Sequence, residues 1–420
     1  MSAESEIRRR IQERGKITFA EFLEIALYWP QGGYYSGRDT VGSHGDYYTS
    51  PAVHPAFGAL LAVQLFQMWH EMDRPIIFTV LELGAGNGLL CRDITDYANK
   101  MLKEFAAALR YICLDRHTPN TLEVGAPGAG RVLADGLPFK RIEGCILSNE
   151  YLDAFPVHQI VMTRDGLKEV YVSLEGDDLV EITGELSETG LAGRFTDLDI
   201  ALVEGQTAEV NLALGRWSKN VATALERGFV LTIDYGRTAY DLYDSDARTR
   251  GTLVTYHQHA QTDAPLAMIG SQDITAQVDF TSVSKAGEQV GLNTMALVTQ
   301  REFLSNLRLD TLQQRLTDQK LSSRQIQANR AGILDLARPG GLGDFKILFQ
   351  GKNAGTPKLW GIERSDEAAS LIDNLPVPLL SSQHLSLSDG QFFRNETEFE
   401  AFWQFADSEP LSEGENPITG

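Results

Sequence analysis

The chain reads as an α/β protein built on a doubly wound, mostly parallel sheet. Three observations predict it. Short continuous apolar runs such as Ile76-Ile-Phe-Thr-Val-Leu-Glu-Leu83 end in acidic or glycine-rich segments, helix-length spacers separate them, and a glycine loop, Gly84-Ala-Gly86-Asn-Gly88, leaves the first run. Apolar runs without alternation belong to strands covered on both faces, and strands alternating with helices make βαβ units.

The elements follow in order. Residues 4–30 carry Ile7, Ile11, Ile17, Phe22 and Ala26 on what the spacing predicts to be a helical stripe, and the Gly- and Tyr-rich stretch from Gln31 to Pro51 is expected to be loop. Phe57 to Trp69 is apolar all round, as a buried helix would be. After the first strand and its loop, a helical stretch runs from Leu89 to about Leu109. Further strands are expected at Tyr111–Leu114, ending at Asp115, at Arg131–Ala134, ending at Asp135, and at Gly144–Ser148, ending at Asn149-Glu150. From Val157 to about Gly193 the period shortens to two, with turn residues at Asp165-Gly166 and Gly176-Asp-Asp, so antiparallel strands are inserted there. A helix from about Thr207 to Arg227 leads to a fifth strand, Gly228–Ile233, ending at Asp234-Tyr-Gly236. Helices between 275 and 338 precede a last strand at Phe345–Phe349. The division expected is an N-terminal helical segment at 1–72, a central domain at 73–360 with an insertion at about 157–215, and a C-terminal extension at 361–420. That extension holds 12 acidic residues against 2 basic ones, and its end is expected to be partly disordered.

Composition narrows the function. The 420 residues carry 57 acidic and 37 basic side chains, a net charge of −20, which argues against nucleic acid or an anionic membrane as partner. No apolar run approaches the ~18 residues that cross a bilayer. Three scattered cysteines, Cys91, Cys113 and Cys145, suit neither a disulfide framework nor a zinc site, and the N-terminal residues resemble neither a secretory nor a transit peptide. A cytoplasmic location is expected, with a mitochondrial one as the alternative.

The loop Glu82-Leu-Gly84-Ala-Gly86-Asn-Gly88 departs from the dinucleotide fingerprint, because the sixth position is Leu89. It resembles instead the acidic-x-Gly-x-Gly-x-Gly motif of class I S-adenosylmethionine-dependent methyltransferases. In that fold the glycine loop meets the amino-acid end of the cofactor and an acid closing the second strand meets the ribose, which implies Asp115 for the ribose and Asp135 near the adenine. Three longer stretches sharpen the likeness: Gly45-Asp-Tyr-Tyr-Thr-Ser-Pro51, Ser148-Asn-Glu-Tyr-Leu-Asp-Ala-Phe-Pro-Val-His-Gln159, and Asp234-Tyr-Gly236 with Gln272-Asp-Ile-Thr-Ala-Gln-Val-Asp-Phe280. In this order they resemble the MidA family of methyltransferases over roughly residues 15–351. The resemblance implies a class I methyltransferase fold, S-adenosyl-L-methionine as cofactor and a protein substrate presenting an arginine, as in respiratory complex I assembly; methyl transfer itself requires no metal, and none is expected. Arg116-His-Thr-Pro stands where the family has Ser-Pro, and Ala276-Gln277 where Ala-His is more usual.

Methyl transfer from a sulfonium is an in-line displacement that needs positioning more than acid–base power. A guanidinium acceptor must also be oriented and lose a proton, for which carboxylates serve. Glu150 and Asp153, with Asn149 beside them, are the candidates, and Tyr47, flanked by Asp46 and Tyr48, is expected to contribute a lid or wall. Glu150 as a solvated loop residue and Asp153 as a turn cap are the plainer readings. His158, His257 and His259 are further proton-acceptor candidates. A non-catalytic assembly protein retaining the fold and a small-molecule methyltransferase are the competing functions, with an NAD-dependent dehydrogenase behind them.

Overall fold

A computed structural model describes residues 1–36, 49–116, 128–257, 260–381 and 383–384, and two short strands at Leu387–Ser388 and Gln391–Phe392. At its centre is a seven-stranded sheet: β1 Phe78–Leu83, β2 Leu109–Asp115, β3 Ala129–Leu133, β4 Ile142–Asn149, β5 Leu225–Asp234, β6 Asn293–Thr299 and β7 Lys346–Lys352. The spatial order is β6-β7-β5-β4-β1-β2-β3. β1 to β5 are parallel, and β7 runs antiparallel to both β5 and β6.

The continuous apolar runs are explained by cover on both faces. In β1, Phe78 and Val80 enter one layer with helices Ala56–Glu71 and Leu89–Met101, while Leu81 and Leu83 enter the other with helices Leu214–Ala224 and Phe280–Glu288. The parallel part of the sheet directs all its C-terminal strand ends to one edge, where ligands of doubly wound sheets bind. The turn of strand order falls between β1 and β4.

Four expectations are corrected. Residues 4–30 are two helices, Ala3–Arg14 and Phe19–Tyr28. Gly15, at φ +80°, ends the first, and Lys16–Thr18 pairs with Tyr171–Ser173 of the insertion. The N-terminal segment is thereby hydrogen-bonded to a sheet more than 150 residues away in sequence. Second, Thr207–Val210 is a strand rather than the start of a helix, because it completes the inserted sheet against His158–Val161 and buries Ala208 and Val210. Helix resumes only at Leu214. Third, the stretch read as helical between 275 and 338 contains β6, whose half-exposed pattern at the sheet edge gave no period of two. Finally, Lys103–Ala108 is a separate short helix after a break at Leu102.

The antiparallel insertion is formed by His158–Thr163, Gly166–Glu175 and Asp178–Gly184, as the turn residues predict. Residues 358–384 pack on the central domain. Leu359, Trp360, Ala368, Ile372, Leu375 and Val377 share the core of β1, and the amides of Trp360 and Gly361 donate to Gln67 and Gln64. The acidic residues from 393 onward lie outside the described residues.

Candidate functional site

The glycine loop lies between β1 and helix Leu89–Met101. Gly84, Gly86 and Gly88 have φ of +69°, +51° and +84°, values that side chains other than glycine's rarely adopt. A Cβ on Gly84 would stand 2.5 Å from the Tyr151 ring, so the backbone is bare where it passes that residue. The loop is tied to β2 from beneath: Gly84 N–H donates to Leu114 O at 2.9 Å and Gly86 N–H to Asp115 Oδ2 at 3.0 Å. Arg131 of β3 donates to Gly86 O at 2.8 Å. Arg131 was not among the residues singled out from sequence, since nothing local marks a strand arginine as a loop support.

Glu82 does not line the open edge. It is buried under the loop, where the Tyr111 hydroxyl donates to it at 2.9 Å, and burial pushes its carboxyl up to about 8. Asp115 is half-buried at the loop and also accepts from the Arg116 amide. Asp135, two residues beyond β3, is exposed. The residues present fit a nucleoside cofactor: a strand-to-helix loop with no side chain in the way, and an acid closing β2 within hydrogen-bonding distance of that loop.

The second half of the site is built where β4 and β5 end side by side, Asn149 in register with Ile233. Here the chain turns through Glu150 at φ +51°, with its amide on Ile233 O at 2.8 Å. Asn149 Nδ2 donates to Glu150 Oε1 at 3.0 Å. Burial and the neighbouring Asp153 push the Glu150 carboxyl up to about 8. Asp153 is buried, and burial with Asp234 and Asp273 nearby holds its carboxyl well above the usual carboxylate range. Asp234, fully buried at the end of β5, is pushed up to about 7 by burial and by Glu150. Among the described residues Glu150, Asp153 and Asp234 make no ion pair with Lys or Arg.

Aromatic residues from distant segments wall this cluster. Tyr28 donates to Ala154 O at 2.7 Å, and Tyr35 to Asp273 Oδ2 at 2.6 Å, with the two rings stacked at 5.4 Å. Tyr235 donates to Thr275, and the Arg116 guanidinium lies 4.6 Å from the Tyr28 ring centroid. Sequence reading missed Tyr28, Tyr35 and Asp273 as site neighbours; only the tertiary fold brings 28, 35, 153 and 273 together. Asp46, Tyr47, Tyr48 and His259 lie outside the described residues. His158 pairs with Glu169 in the inserted sheet, and His257 with Ser271 O, so both have structural partners.

Sheet order, the reversed β7, the glycine loop after β1 and the acid after β2 together define a class I methyltransferase. A family model described as "Putative S-adenosyl-L-methionine-dependent methyltransferase" matches residues 60–298, more than half of the chain, and the chain belongs to that family. S-adenosyl-L-methionine is its cofactor. The chain is 28% identical over 386 residues to the mitochondrial protein arginine methyltransferase NDUFAF7 homolog of Drosophila melanogaster, covering 83% of this chain and 85% of the relative. It is 26% identical over 368 residues to mitochondrial protein arginine methyltransferase NDUFAF7 of Rattus norvegicus, covering 81% and 82%. Among solved structures it superposes on a Burkholderia thailandensis protein bound to S-adenosyl-homocysteine with a TM-score of 0.76 at 26% identity, covering 86% of this chain and 94% of that one. Among the described residues no helix is long and apolar enough to cross a membrane.

Proposed function

We propose that the chain is a protein arginine methyltransferase whose acceptor guanidinium is received at the ends of β4 and β5. The observation that carries this is the pair of neighbouring carboxyls, Glu150 and Asp153, set into the protein without a basic partner among the described residues. Buried carboxyls without a counter-ion hold protons and favour a cation that can replace them. A guanidinium is such a cation, with five donors in a plane, and the tyrosine rings offer faces on which it can stack. The names of the relatives agree with this acceptor, and complex I assembly is the setting the family resemblance implies. The compartment follows that setting, a mitochondrion in a eukaryote, as in the named relatives, or the cytoplasm in a bacterium.

Gly84, Gly86, Gly88 and Asp115 would hold the cofactor, with Glu82 supporting the loop from below and Asp135 at the adenine side. When bound, S-adenosyl-L-methionine supplies an electrophilic methyl group on a sulfonium. The chain's part is to orient and deprotonate. Asn149 holds Glu150 Oε1, and Glu150 and Asp153 accept from the guanidinium. Once the guanidinium has displaced their protons, Glu150 and Asp153 would stand ionised beside it; on receiving the methyl group the acceptor nitrogen would carry one proton too many, and the Glu150 carboxylate would take it.

Transfer of a labelled methyl group from the cofactor to arginine-containing protein extracts, followed by mass spectrometry of the product, tests the reading. Label confined to arginine supports it. Label on lysine or carboxyl side chains, or on small molecules alone, would overturn it in favour of another acceptor. Tight binding of S-adenosylhomocysteine without any transfer would favour the assembly-protein reading.

A further inference from the structure

We propose that Asp234 is a positioning residue for methyl transfer. Its carboxylate is the centre on which the Asn149–Asp153 turn closes, and it thereby sets where Glu150 and Asp153 stand. The inference rests on the acceptor reading above.

The geometry is unusual for a buried acid. One oxygen, Oδ2, accepts from three consecutive amides, Tyr151 at 3.1 Å, Leu152 at 2.9 Å and Asp153 at 3.3 Å. The other, Oδ1, accepts from the amide of Tyr235 at 2.9 Å. Three successive N–H groups turned inward form a concavity that closes around an anion. Glu150, at φ +51°, supplies the backbone inversion that turns them inward. The turn is therefore not a free-standing loop: a side chain on β5, 81 to 83 residues away, acts as the anion in its nest.

Two consequences separate this from an ordinary structural hydrogen bond. A neutral amide at 234 offers a single acceptor oxygen: with that oxygen in the nest its NH2 faces the Tyr235 amide, which loses its acceptor, and the three N–H groups lose the negative charge that draws them inward, so Glu150 is held less firmly. The charge also matters electrically. The groups facing Asp234 are Glu150 and Asp153 on the turn, Tyr235 just beyond its strand and, beyond Asp153, Asp273 on the strand Asp273–Thr275. Lys346, opposite Asp234 on β7, is not within ion-pair distance. Like charges in this cluster disfavour one another's ionisation, Glu150 that of Asp234 and Asp234 that of Asp153, so removing the charge at 234 lowers the pH at which the remaining carboxyls ionise.

The test compares the full chain with Asp234→Asn and Glu150→Gln, measuring arginine methylation across pH 5.5–9.5 and S-adenosylhomocysteine binding by calorimetry. For Asp234→Asn we expect kcat to fall by roughly 30-fold or more, nucleoside binding to stay within about threefold, and the acid limb of the pH profile to move down by about one unit. Unchanged kcat and an unmoved limb, beside an inactive Glu150→Gln, would overturn the role of Asp234 while leaving the acceptor site standing. Full arginine methylation by Glu150→Gln would overturn the acceptor site, and this inference with it. Should Asp234→Asn fail to fold, the wild-type protein decides. The 15N-labelled amides of Tyr151, Leu152 and Asp153 must then shift together with one common midpoint as Asp234 titrates, and three unrelated midpoints reject the nest.

Discussion

The two halves of the proposed site, one assigned to the cofactor and one to the acceptor, are built in opposite ways. The cofactor side is short-range: one loop of seven residues, Glu82 to Gly88, supported by the two strands that lie next in order, through Leu114, Asp115 and Arg131. The acceptor side is assembled from four places along the chain. Its turn at 149–153 is held by residue 234, and its wall comes from Tyr28 and Tyr35 of the N-terminal segment and from 273–275. A nucleoside can be gripped by backbone and one carboxylate, so local sequence suffices. A charged side chain must be met by several carboxyls and rings at once, which only long-range contacts bring together.

The largest expected effect joins the halves. Gly84→Val places a branched side chain at φ +69° with its Cβ 2.5 Å from Tyr151, so the loop and the acceptor turn cannot both keep their positions. Calorimetry should show S-adenosylhomocysteine affinity down roughly 100-fold or more, with methylation lost. Retained affinity with activity alone lost would show that the strain is relieved on the Tyr151 side, and that the halves are less tightly coupled than their contact implies.

The same contrast explains what could be read without the fold. The glycine loop, the acid after β2 and five parallel strands are written in contiguous stretches, each with its own period or punctuation. β6 was not, because an edge strand with one half-exposed face shows neither alternation nor a continuous apolar run. The strand Thr207–Val210 was hidden for another reason: its partner is His158–Val161, and local propensity is silent about pairing. Asn149, Glu150 and Asp153 could be picked out as residue types at a strand end. That Asp234 closes their turn, and that Tyr35 reaches Asp273 across 238 positions, is carried by no local pattern.

Acidity offers a way to sharpen the comparison, because both halves hold carboxyls that resist ionisation. Glu82 and Glu150 are pushed up to about 8 and Asp234 to about 7, each above its value in an unfolded chain. An acid with a raised folded pKa binds more protons in the native state, so its contribution to stability is whole below the unfolded value, 4.5 for the two glutamates and 3.8 for Asp234, and is lost as pH rises through the folded one. The ligand-free protein should therefore become less stable from pH 5 to 8, at up to about 1.4 kcal/mol per pH unit for each such group. Glu6, held at about 2 by Arg9 and Arg10, acts only at lower pH and does not blur the window. Urea unfolding at pH 5, 6.5 and 8 measures the slope, and Glu82→Gln should remove the cofactor side's share of it. A slope untouched by that change would place the resisting carboxyls on the acceptor side alone.

The smallest effect expected isolates the acceptor wall. Tyr35→Phe keeps the ring stacked on Tyr28 at 5.4 Å and removes only the hydroxyl that donates to Asp273 Oδ2 at 2.6 Å. A hydrogen bond to a charged or proton-sharing carboxyl is worth about 1.5–3 kcal/mol, but Asp273 keeps the amide of Ile274 on its other oxygen at 2.7 Å, so the lower end applies. Stability should fall by about 1.5 kcal/mol and KM for the arginine acceptor should rise about three- to tenfold, with kcat and nucleoside affinity unchanged. That pattern follows if Tyr35 belongs to the wall we assign to the acceptor, since its ring meets Tyr28 and Tyr34 and its hydroxyl Asp273. If nucleoside affinity fell in step with the acceptor KM, the wall would extend to the cofactor side, and the division of the site into a local half and an assembled half would have to be redrawn around Tyr28 and Arg116.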